Sequence, residues 1–504
     1  MAVALALAPI GLLLALLLGP RWSAGNAGAA AAVLAAGIAV FAMGYGDGAV
    51  APALAGPVLE ALFQSATILW IVFPALCIHE LQTATGGTAV FGRTLAGLST
   101  DPRIVALLIA WFFALFLEGA AGFGTPIALA APLLVALGFA PATALLLAII
   151  GNAAAVPFGA IGTPMAPLIA QSAQDPRTLS LAIVLLNACA GWTMAAAVAH
   201  IAGRPHGRAV RGALGWGAVA ALLFFAPAAL LAVGTGPELP SIGGALAGGF
   251  LFVLLVRRRT TAGGSDDAPA MPAPRELVQA AMPYLIVIGL ILATRLIGPL
   301  AQQLRTVELG WSFAAGFGGV VQPLHHPGTM LLLAFLIAGT AHRASRHRLP
   351  ALASAALRRL PRVVVALVAV LTLARLMVHS GMIDVLAQAA ATTFGRGWPL
   401  VAPFLGLLGS FVTGSGTASN ILFGEFQASA ARIAGVSPLV IAAAQAVGAA
   451  AGNLIAPHNI VAGAATIGLI GKEGEILKKA LPLALLYASL TAAVALVASI
   501  AFYA

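Results

Sequence analysis

Apolar segments long enough to cross a membrane fill most of this sequence. About 14 such segments can be marked along the chain, because a spanning helix needs roughly 20 mainly apolar residues. Hydrophobic residues make up 61% of the 504 positions and charged residues only 8%, whereas a soluble domain carries about a quarter charged residues. The sequence therefore predicts an all-α polytopic membrane protein with about 12–14 transmembrane helices.

The segments predicted to span the membrane alternate with short polar loops. Their boundaries follow from hydropathy alone. The predicted spans are residues 2–19, 27–44, 63–81, 104–118, 141–157, 179–200, 212–233, 239–256, 278–299, 328–342, 362–379, 399–411, 437–455 and 480–503.

Basic residues lie in the loops between these spans and give the chain a net charge of +10. They concentrate at residues 204–211, 257–275, 343–362 and 472–479. The first three clusters are separated by pairs of spans, so all three fit on one side, which the positive-inside rule makes cytoplasmic. We therefore expect the basic residues to orient the chain rather than to bind nucleic acid, with both chain ends on the outer side.

A polar stretch divides the chain into two halves. Residues 257–277 are rich in Gly, Pro and charged residues, a composition typical of a flexible connector. We predict an N-terminal transmembrane half at 1–256, a cytoplasmic linker at 257–277 and a C-terminal transmembrane half at 278–504.

Each half contains the same series of helix-breaking landmarks. Gly122-Phe123-Gly124-Thr125 recurs as Gly414-Ser415-Gly416-Thr417, and each tetrapeptide is followed by a Gly-x-x-Pro element, a Gly-Asn pair and a proline. The later landmarks are Gly138 to Pro141, Gly151-Asn152 and Pro157 in the first copy, and Gly435 to Pro438, Gly452-Asn453 and Pro457 in the second. The shared order predicts an internal repeat, at about 104–171 and about 399–471. Chance similarity between Gly- and Ala-rich segments is the alternative.

The charge-based topology predicts that the two copies are inverted. Span 104–118 would run outward and span 399–411 inward. Segments 119–138 and 412–434 are too polar and too rich in small residues for simple spans, so we interpret them as re-entrant hairpins. Short apolar stretches after Pro157 and Pro457 indicate broken helices, unwound near 157–159 and 456–458. Inverted repeats with broken helices are typical of secondary transporters.

Polar and glycine residues of the two copies form the candidate substrate site. Backbone N–H groups left free at membrane depth must face protein or a cavity, and helix N-termini suit a small carboxylate. Hydrogen bonding from helix to helix is the alternative role for each polar side chain. The candidate substrate-binding residues are Gly122, Gly124, Thr125, Asn152, Ser415, Gly416, Thr417, Ser419, Asn420, Gln445, Asn453 and His458.

Glu118 is the candidate proton-coupling residue. It ends an apolar span directly before Gly119-Ala120-Ala121-Gly122, where a negative charge is costly and a proton carrier would be useful. The alternatives are an interfacial glutamate in water and a cap for the following hairpin.

The remaining polar residues near span ends give no site of their own. Arg295 and Arg375 are long enough to snorkel to the membrane surface, and His325-His326 lack a third metal ligand nearby in sequence. Cys77 and Cys189 lie in separate apolar runs without metal-site or disulfide spacing. No Walker loop or zinc-protease motif occurs in the sequence. We therefore expect no metal, no cofactor and no enzymatic activity.

Several windows of the chain resemble the signatures of the L-lactate permease family. Residues 116–126, which read Phe-Leu-Glu-Gly-Ala-Ala-Gly-Phe-Gly-Thr-Pro, are similar to its main motif, together with Asn152 and residues 158–162. Residues 413–420 with 422–424 are similar to its second motif, and residues 468–473 to its C-terminal motif. The likeness extends through most of the chain in segment order.

This resemblance implies a proton-coupled symporter of lactate and glycolate in the cell (inner) membrane. Its partners would be a small 2-hydroxymonocarboxylate, protons and the lipid bilayer, and a homo-oligomer is left open. A transporter of another small organic anion and a non-transport membrane protein are the alternative functions. The chain departs from the family pattern at Gly416, where the family carries an acidic residue, at Asn453, where it carries a lysine, and at the pair His458-Asn459.

Overall fold

The computed structural model describes most of the chain. Residues 19–21, 88, 91–93, 95–97, 123, 207–209, 261–272, 314–315, 342–347, 470–471 and 502–504 lie outside the description. For residues 17, 18, 24, 206, 259, 260, 274, 362, 458 and 465, the backbone alone is described.

Long helices account for most of the first half. α4 contains a π-helical stretch at Leu107–Phe113, and a 3₁₀ segment, Ala153–Phe158, follows α6. The helices are α1 (Ala2–Leu18), α2 (Ala24–Met43), α3 (Val50–Thr85), α4 (Pro102–Ala120), α5 (Thr125–Ala136), α6 (Pro141–Asn152), α7 (Met165–Ser172), α8 (Pro176–Gly203), α9 (Val210–Thr235) and α10 (Pro240–Thr260).

The second half adds ten helices and one β-hairpin to the described chain. Its helices are α11 (Pro274–Leu296), α12 (Gly298–Arg305), α13 (Pro327–Ala341), α14 (Leu349–His379), α15 (Met382–Phe394), α16 (Trp398–Thr413), α17 (Gly416–Ala434), α18 (Pro438–Asn453), α19 (Pro457–Thr466) and α20 (Glu473–Ala501). The hairpin consists of β1 (Leu309–Phe313) and β2 (Phe317–Val321).

The helices have the length and composition of membrane spans. Among the described residues, nine helices are long and apolar enough to cross a membrane, or ten if the bent α14 counts as one span. Shorter apolar helices occur at Ala2–Leu16, Thr125–Ala136, Pro327–Ala341 and Pro438–Asn453. Every predicted span falls on a helix. The predicted number of spans, 12–14, is higher than nine or ten because it also counts these shorter helices. The all-α polytopic membrane class is confirmed.

Two helices extend well beyond their predicted spans. α3 has 36 residues where the sequence predicts 63–81, and α14 begins at residue 349 rather than 362. Hydropathy missed these extensions because they carry charged residues, which the structure pairs between the two helices. Glu60 lies 2.7 Å from His379 and Glu80 lies 2.7 Å from Arg359, so α3 and α14 are tied together near both ends.

The predicted linker 257–277 overlaps two helices. α10 continues to Thr260 and α11 begins at Pro274, while residues 261–272 lie outside the described chain. The division of the chain into two halves by a cytoplasmic linker stays a prediction.

Hydropathy did not predict the β-hairpin. Its strands pair antiparallel, with Leu309 opposite Val321 and Phe313 opposite Phe317. The ring of Phe317 packs edge-on against His379, at a centroid distance of 4.9 Å, and occupies the space beside Gly56 of α3. The sequence did contain a signal for this hairpin, namely short runs of aromatic and β-branched residues around glycine.

The two predicted repeat segments contain the same order of elements. In the first, α4 ends before Gly122 and Gly124, which have φ of 59° and 76°, and α5, α6 and α7 follow. In the second, α16 ends before Gly414, which has φ of 68°, and α17, α18 and α19 follow. Glycine is needed at these breaks because other residues rarely adopt positive φ. This order agrees with a repeat, and its inversion remains a prediction.

Close helix packing in the second segment depends on small residues. A Cβ at Gly406, Gly448 or Gly452 would overlap backbone atoms of the facing helix in the α16–α18 pair. Glycine lets helices in membranes approach closely enough for extensive van der Waals contact.

Gly448→Ala is expected to destabilise the protein by about 1–3 kcal/mol, because the added methyl overlaps the backbone of Pro403. The measurement is the thermal unfolding midpoint of the purified protein in detergent. Gly215→Ala is the control, because among the described residues no atom outside its own helix backbone lies within 4 Å of a Cβ at that glycine. Equal midpoints for the two variants would contradict the prediction.

Candidate functional site

A central cavity of about 280 Å³ lies where the helix breaks of the two repeat segments meet. Its other wall is apolar and comes from α3 and α14, through Ile68, Val72 and residues 363–370. The polar side chains that line it are Glu118, Thr163, Thr413, Ser415, Thr417, Asn453 and Asn459.

Seven of the predicted site residues meet at this cavity, and five do not line it. The cavity is lined by Glu118, Gly122, Gly124, Ser415, Gly416, Thr417 and Asn453. The residues that do not line it are Thr125, Asn152, Ser419, Asn420 and Gln445. The side chain of His458 lies outside the described part of the chain.

Glu118 lies in the last turn of α4 and is buried, with only 7% of its surface exposed. The side chain of Asn152 forms a hydrogen bond with it, so this asparagine acts on the glutamate rather than on the cavity. A Cβ at Gly159 would lie 2.6 Å from Glu118 Oε1. The carboxyl group therefore occupies space that only glycine at residue 159 leaves open, and an interfacial glutamate in bulk water does not match this burial.

The chain beside Glu118 adopts an unusual backbone conformation. Ala160, Ile161 and Gly162 have φ of 42°, 55° and 78°, and left-handed backbone costs a non-glycine residue about 1–2 kcal/mol. Thr163 Oγ1 donates a 2.6 Å hydrogen bond to the carbonyl of Ala160 and helps to hold this turn. Strain of this kind clusters at functional sites.

Both predicted helix breaks are displaced by a few residues. In the first segment the break falls at 160–162 rather than 157–159, because Pro157 is accommodated within the 3₁₀ segment Ala153–Phe158. In the second, α18 ends at Asn453 and α19 begins at Pro457, so the break lies at 454–456. Pro457 fits at the start of α19, because proline lacks an N–H group and the first N–H groups of a helix have no partner within the helix.

The N-terminus of α17 opens onto the cavity. Ser415 caps this 19-residue helix by accepting a 3.3 Å hydrogen bond from the N–H of Ala418. The N–H groups of Gly416 and Thr417 belong to the first turn, where the helix itself provides no acceptor. The positive end of the helix dipole therefore faces the cavity, where it favours an anion.

Two asparagines complete the polar wall from the second segment. Asn459 Nδ2 donates a 3.0 Å hydrogen bond to Asn453 Oδ1. A Cβ at Gly124 would lie 3.6 Å from Asn459 Oδ1, so this amide meets the glycine break of the first segment. Thr163 and Thr413 were not among the predicted site residues, although each lies within or next to a motif window.

Three of the residues that do not line the cavity form hydrogen bonds with other parts of the structure. Ser419 Oγ donates to the carbonyl of Gly406 at 2.9 Å, and Gln445 Nε2 donates to Ser419 Oγ at 3.1 Å. Asn420 Nδ2 donates to the carbonyl of Pro164 at 2.9 Å, which ties α17 to the first segment. For these residues, hydrogen bonding between structural elements describes the contacts better than substrate binding does.

The charged residues predicted near span ends lie away from the central cavity. Arg295 Nη2 lies 2.8 Å from Glu238 Oε1, and Glu60 lies near both His379 and Arg375, at 2.7 Å and 4.0 Å. Within the described chain, no group of three or more His, Cys, Asp or Glu residues is placed to hold a metal ion.

Comparison with known proteins identifies the family. The family model for L-lactate permease matches residues 2–309 and 313–502. The chain belongs to the L-lactate permease family. L-lactate permease of Streptococcus iniae is 32% identical over 381 residues, which cover 75% of this chain and 80% of that protein. Glycolate permease GlcA of Escherichia coli (strain K12) is 28% identical over 498 residues, with 86% and 85% covered.

Membership of the L-lactate permease family and the apolar helices together establish a multi-pass membrane protein. The family is one of permeases, which argues against an enzyme. Among solved structures, the YdaH transporter of Alcanivorax borkumensis is similar, with a TM-score of 0.50 and 15% identity. That alignment covers 87% of this chain and 86% of the other, and it concerns the fold alone.

Two of the predicted departures from the L-lactate permease pattern fall on the central cavity. Gly416 and Asn453 line it together, and a Cβ at residue 416 would lie 3.2 Å from Val156 Cγ1. With glycine and asparagine at these positions, Glu118 is the one ionisable side chain among the described residues that line the cavity.

Proposed function

We propose that this chain is a proton-coupled symporter that takes up lactate- and glycolate-type 2-hydroxymonocarboxylates across the cell (inner) membrane. The observation that carries the proposal is the composition of the central cavity. It combines one buried carboxyl group, Glu118, with the free N–H groups at the start of α17. The names of the family and of its glycolate-transporting relative support the substrate class.

Charge balance explains why binding of the substrate anion would be coupled to binding of a proton. A substrate carboxylate and an ionised Glu118 would place two negative charges in one small cavity, which is unfavourable unless one of them binds a proton. Protonated Glu118 lets the anion bind, and the loaded site then carries no second uncompensated charge through the membrane. Loss of the proton on the inner side expels the anion by repulsion.

The positions of the donors suggest how the substrate lies. Its carboxylate would accept hydrogen bonds from the N–H groups of Gly416 and Thr417 and from the hydroxyl of Thr417. Its 2-hydroxyl group would face Asn453 and Asn459, which line the same cavity. A volume of about 280 Å³ is below the range of pockets that take drug-sized ligands, as expected for a small acid.

Transport of another small organic anion is the second candidate function. The observation that favours it is the neutral pair Gly416 and Asn453 at the cavity, where the L-lactate permease pattern has an acid and a base. Competition between carboxylates separates the two candidates, because a changed cavity changes the rank order of competitors.

The test is uptake of labelled L-lactate by proteoliposomes with an acidic exterior. We expect saturable uptake that a protonophore abolishes and that unlabelled glycolate inhibits. Liposomes without protein provide the background, and folded protein is verified by its unfolding transition. If intact protein took up no lactate or glycolate and a carboxylate panel did not compete, the proposed substrate class would be wrong.

A further inference from the structure

A second polar cavity, of about 670 Å³, lies beside the β-hairpin. We call it the outer cavity, because it lies at the ends of α10 and α11 that are opposite the basic residues Arg257 and Arg275. By the positive-inside rule those basic ends are cytoplasmic. Its polar lining includes Gln64, Thr67, Glu238, Arg295, His325 and His326.

Arg295 lies in this cavity with most of its hydrogen bonds already made. Its side chain is 6% exposed. Nε and Nη2 donate to Glu238 Oε1 at 3.0 and 2.8 Å, Nη1 contacts His325 Nε2 at 2.6 Å, and Nη2 donates to the carbonyl of His325 at 3.0 Å. Since a guanidinium has five N–H groups, one N–H of Nη1 remains beyond these four bonds.

Glu238 lies beside the guanidinium of Arg295, and only one of its two carboxylate oxygens accepts hydrogen bonds from it. The residue is 8% exposed, and both bonds from Arg295 go to Oε1. Oε2 is buried and, within the described structure, has no hydrogen-bond donor. A buried carboxylate oxygen without a donor is costly, so this atom is suited to accept a hydrogen bond from a ligand.

The two histidines add no competing charge, and His326 adds one neutral donor. His325 Nε2 accepts from Arg295, and its ring also bonds the backbone of Thr294. His326 Nδ1 accepts from the N–H of Gly328 at 3.3 Å, which leaves its proton on Nε2. Burial and the nearby Arg295 lower the pKa of both rings to about 4, so both are neutral at pH 7.

Other charges face the outer cavity as well. Glu60 lines it and is held by His379 at 2.7 Å, and Arg305 Nε lies 3.4 Å from His325 Nε2. In the Arg295–Glu238 pair, by contrast, one N–H of Nη1 and the carboxylate oxygen Oε2 both remain without a partner among the described residues.

The outer cavity continues toward the central cavity along α3. Gln64 lines the outer cavity, and Ile68 and Val72 line the central one. These residues are four apart and therefore lie on one face of the helix. On the opposite wall, Ala170 of α7 lines the outer cavity and Pro164, just before α7, lines the central one.

We propose that the outer cavity is a second binding site, which receives a 2-hydroxymonocarboxylate before it enters the central cavity. The carboxylate binds the guanidinium of Arg295, and the 2-hydroxyl group donates to Glu238 Oε2. This pattern of donor and acceptor distinguishes a 2-hydroxy acid from the same acid without its hydroxyl group. The inference rests on the proposed function. It adds that the substrate is selected at the outer cavity, before it reaches the central cavity.

The test compares transport from the two membrane faces. External KM is measured in intact cells and internal KM in inverted vesicles, for L-lactate and for propionate, which lacks the hydroxyl group. Gln64 lines the outer cavity and is half-buried, so it tolerates a change of charge. We expect Gln64→Glu to raise, and Gln64→Lys to lower, external KM by about threefold, with internal KM unchanged.

Glu238→Gln tests the hydroxyl contact. The amide oxygen can keep the bonds from Arg295, but its NH₂ group cannot accept from a hydroxyl. We expect external KM for lactate to rise about tenfold while that for propionate stays within about twofold. Glu425→Gln is the matched control, because Glu425 lines neither cavity, and it should leave all four KM values unchanged.

Three results would overturn the inference while wild-type transport is intact. They are equal changes at both faces, changes of the same sign for the two Gln64 variants, and equal changes for lactate and propionate in Glu238→Gln. If the wild type itself showed no saturable lactate or glycolate uptake from either face, the proposed function would be wrong and this inference with it.

Discussion

Glu118→Gln is expected to lower lactate uptake driven by a pH gradient at least about hundredfold, the scale of losing a positioned acid–base group. The glutamine side chain is nearly the same size and can still bond Asn152, but it cannot take up and release a proton. Exchange of labelled for unlabelled lactate at equal pH should be retained, because it requires no net proton movement. Counterflow and gradient-driven uptake in the same proteoliposome preparation are the two measurements.

Glu425→Gln is the control for the Glu118 experiment. It makes the same chemical change at a partly exposed glutamate of α17 that lies outside the cavity, near Arg432 at 3.7 Å. We expect it to keep both activities. Gradient-driven uptake that survived unchanged in Glu118→Gln would show that the proton is carried elsewhere.

Gly159→Ala is expected to lower gradient-driven uptake by about a hundredfold, the effect of misplacing a reacting group by about 1 Å. The added Cβ would lie 2.6 Å from Glu118 Oε1, so the carboxyl group must move and strain its bond to Asn152. The φ of Gly159 is −61°, which alanine adopts without strain. The loss would therefore come from the contact with Glu118 and not from the backbone.

Initial uptake rates and the thermal midpoint of Gly159→Ala should be measured together. Gly215→Ala serves as the control, because its Cβ would contact no neighbouring element in the described part of the chain. A folded Gly159→Ala protein with wild-type uptake would mean that the position of the Glu118 carboxyl group is unimportant for coupling.

Local backbone requirements made part of the site predictable from sequence. Gly122, Gly124 and Gly414 mark helix breaks with positive φ. Glycine in the sequence predicts such breaks, because other residues rarely adopt positive φ. Glu118 could be singled out because an acid at the end of an apolar span is costly. Both kinds of signal are local, and both lead to residues that line the cavity.

The division between lining and packing residues could not be read from the sequence. Asn420 bonds the carbonyl of Pro164, 256 positions away in the chain, and Gln171 bonds that of Ile421, 250 positions away. Whether an amide faces a cavity or a distant backbone carbonyl depends on how the two halves pack. The same limit hid the lengths of α3 and α14, because charged residues lower hydropathy unless their partners are known.

The apolar wall of the central cavity has a mechanical consequence. Ile68 and Val72 of α3, with Leu367 and Val370 of α14, have no hydrogen-bonding side-chain groups, and ion pairs join the two helices near both ends. Dispersion contacts are weak individually and have little directionality. A polar surface that faces this wall exchanges no side-chain hydrogen bonds with Ile68, Val72, Leu367 or Val370, so these four residues would offer little resistance to a displacement along the wall.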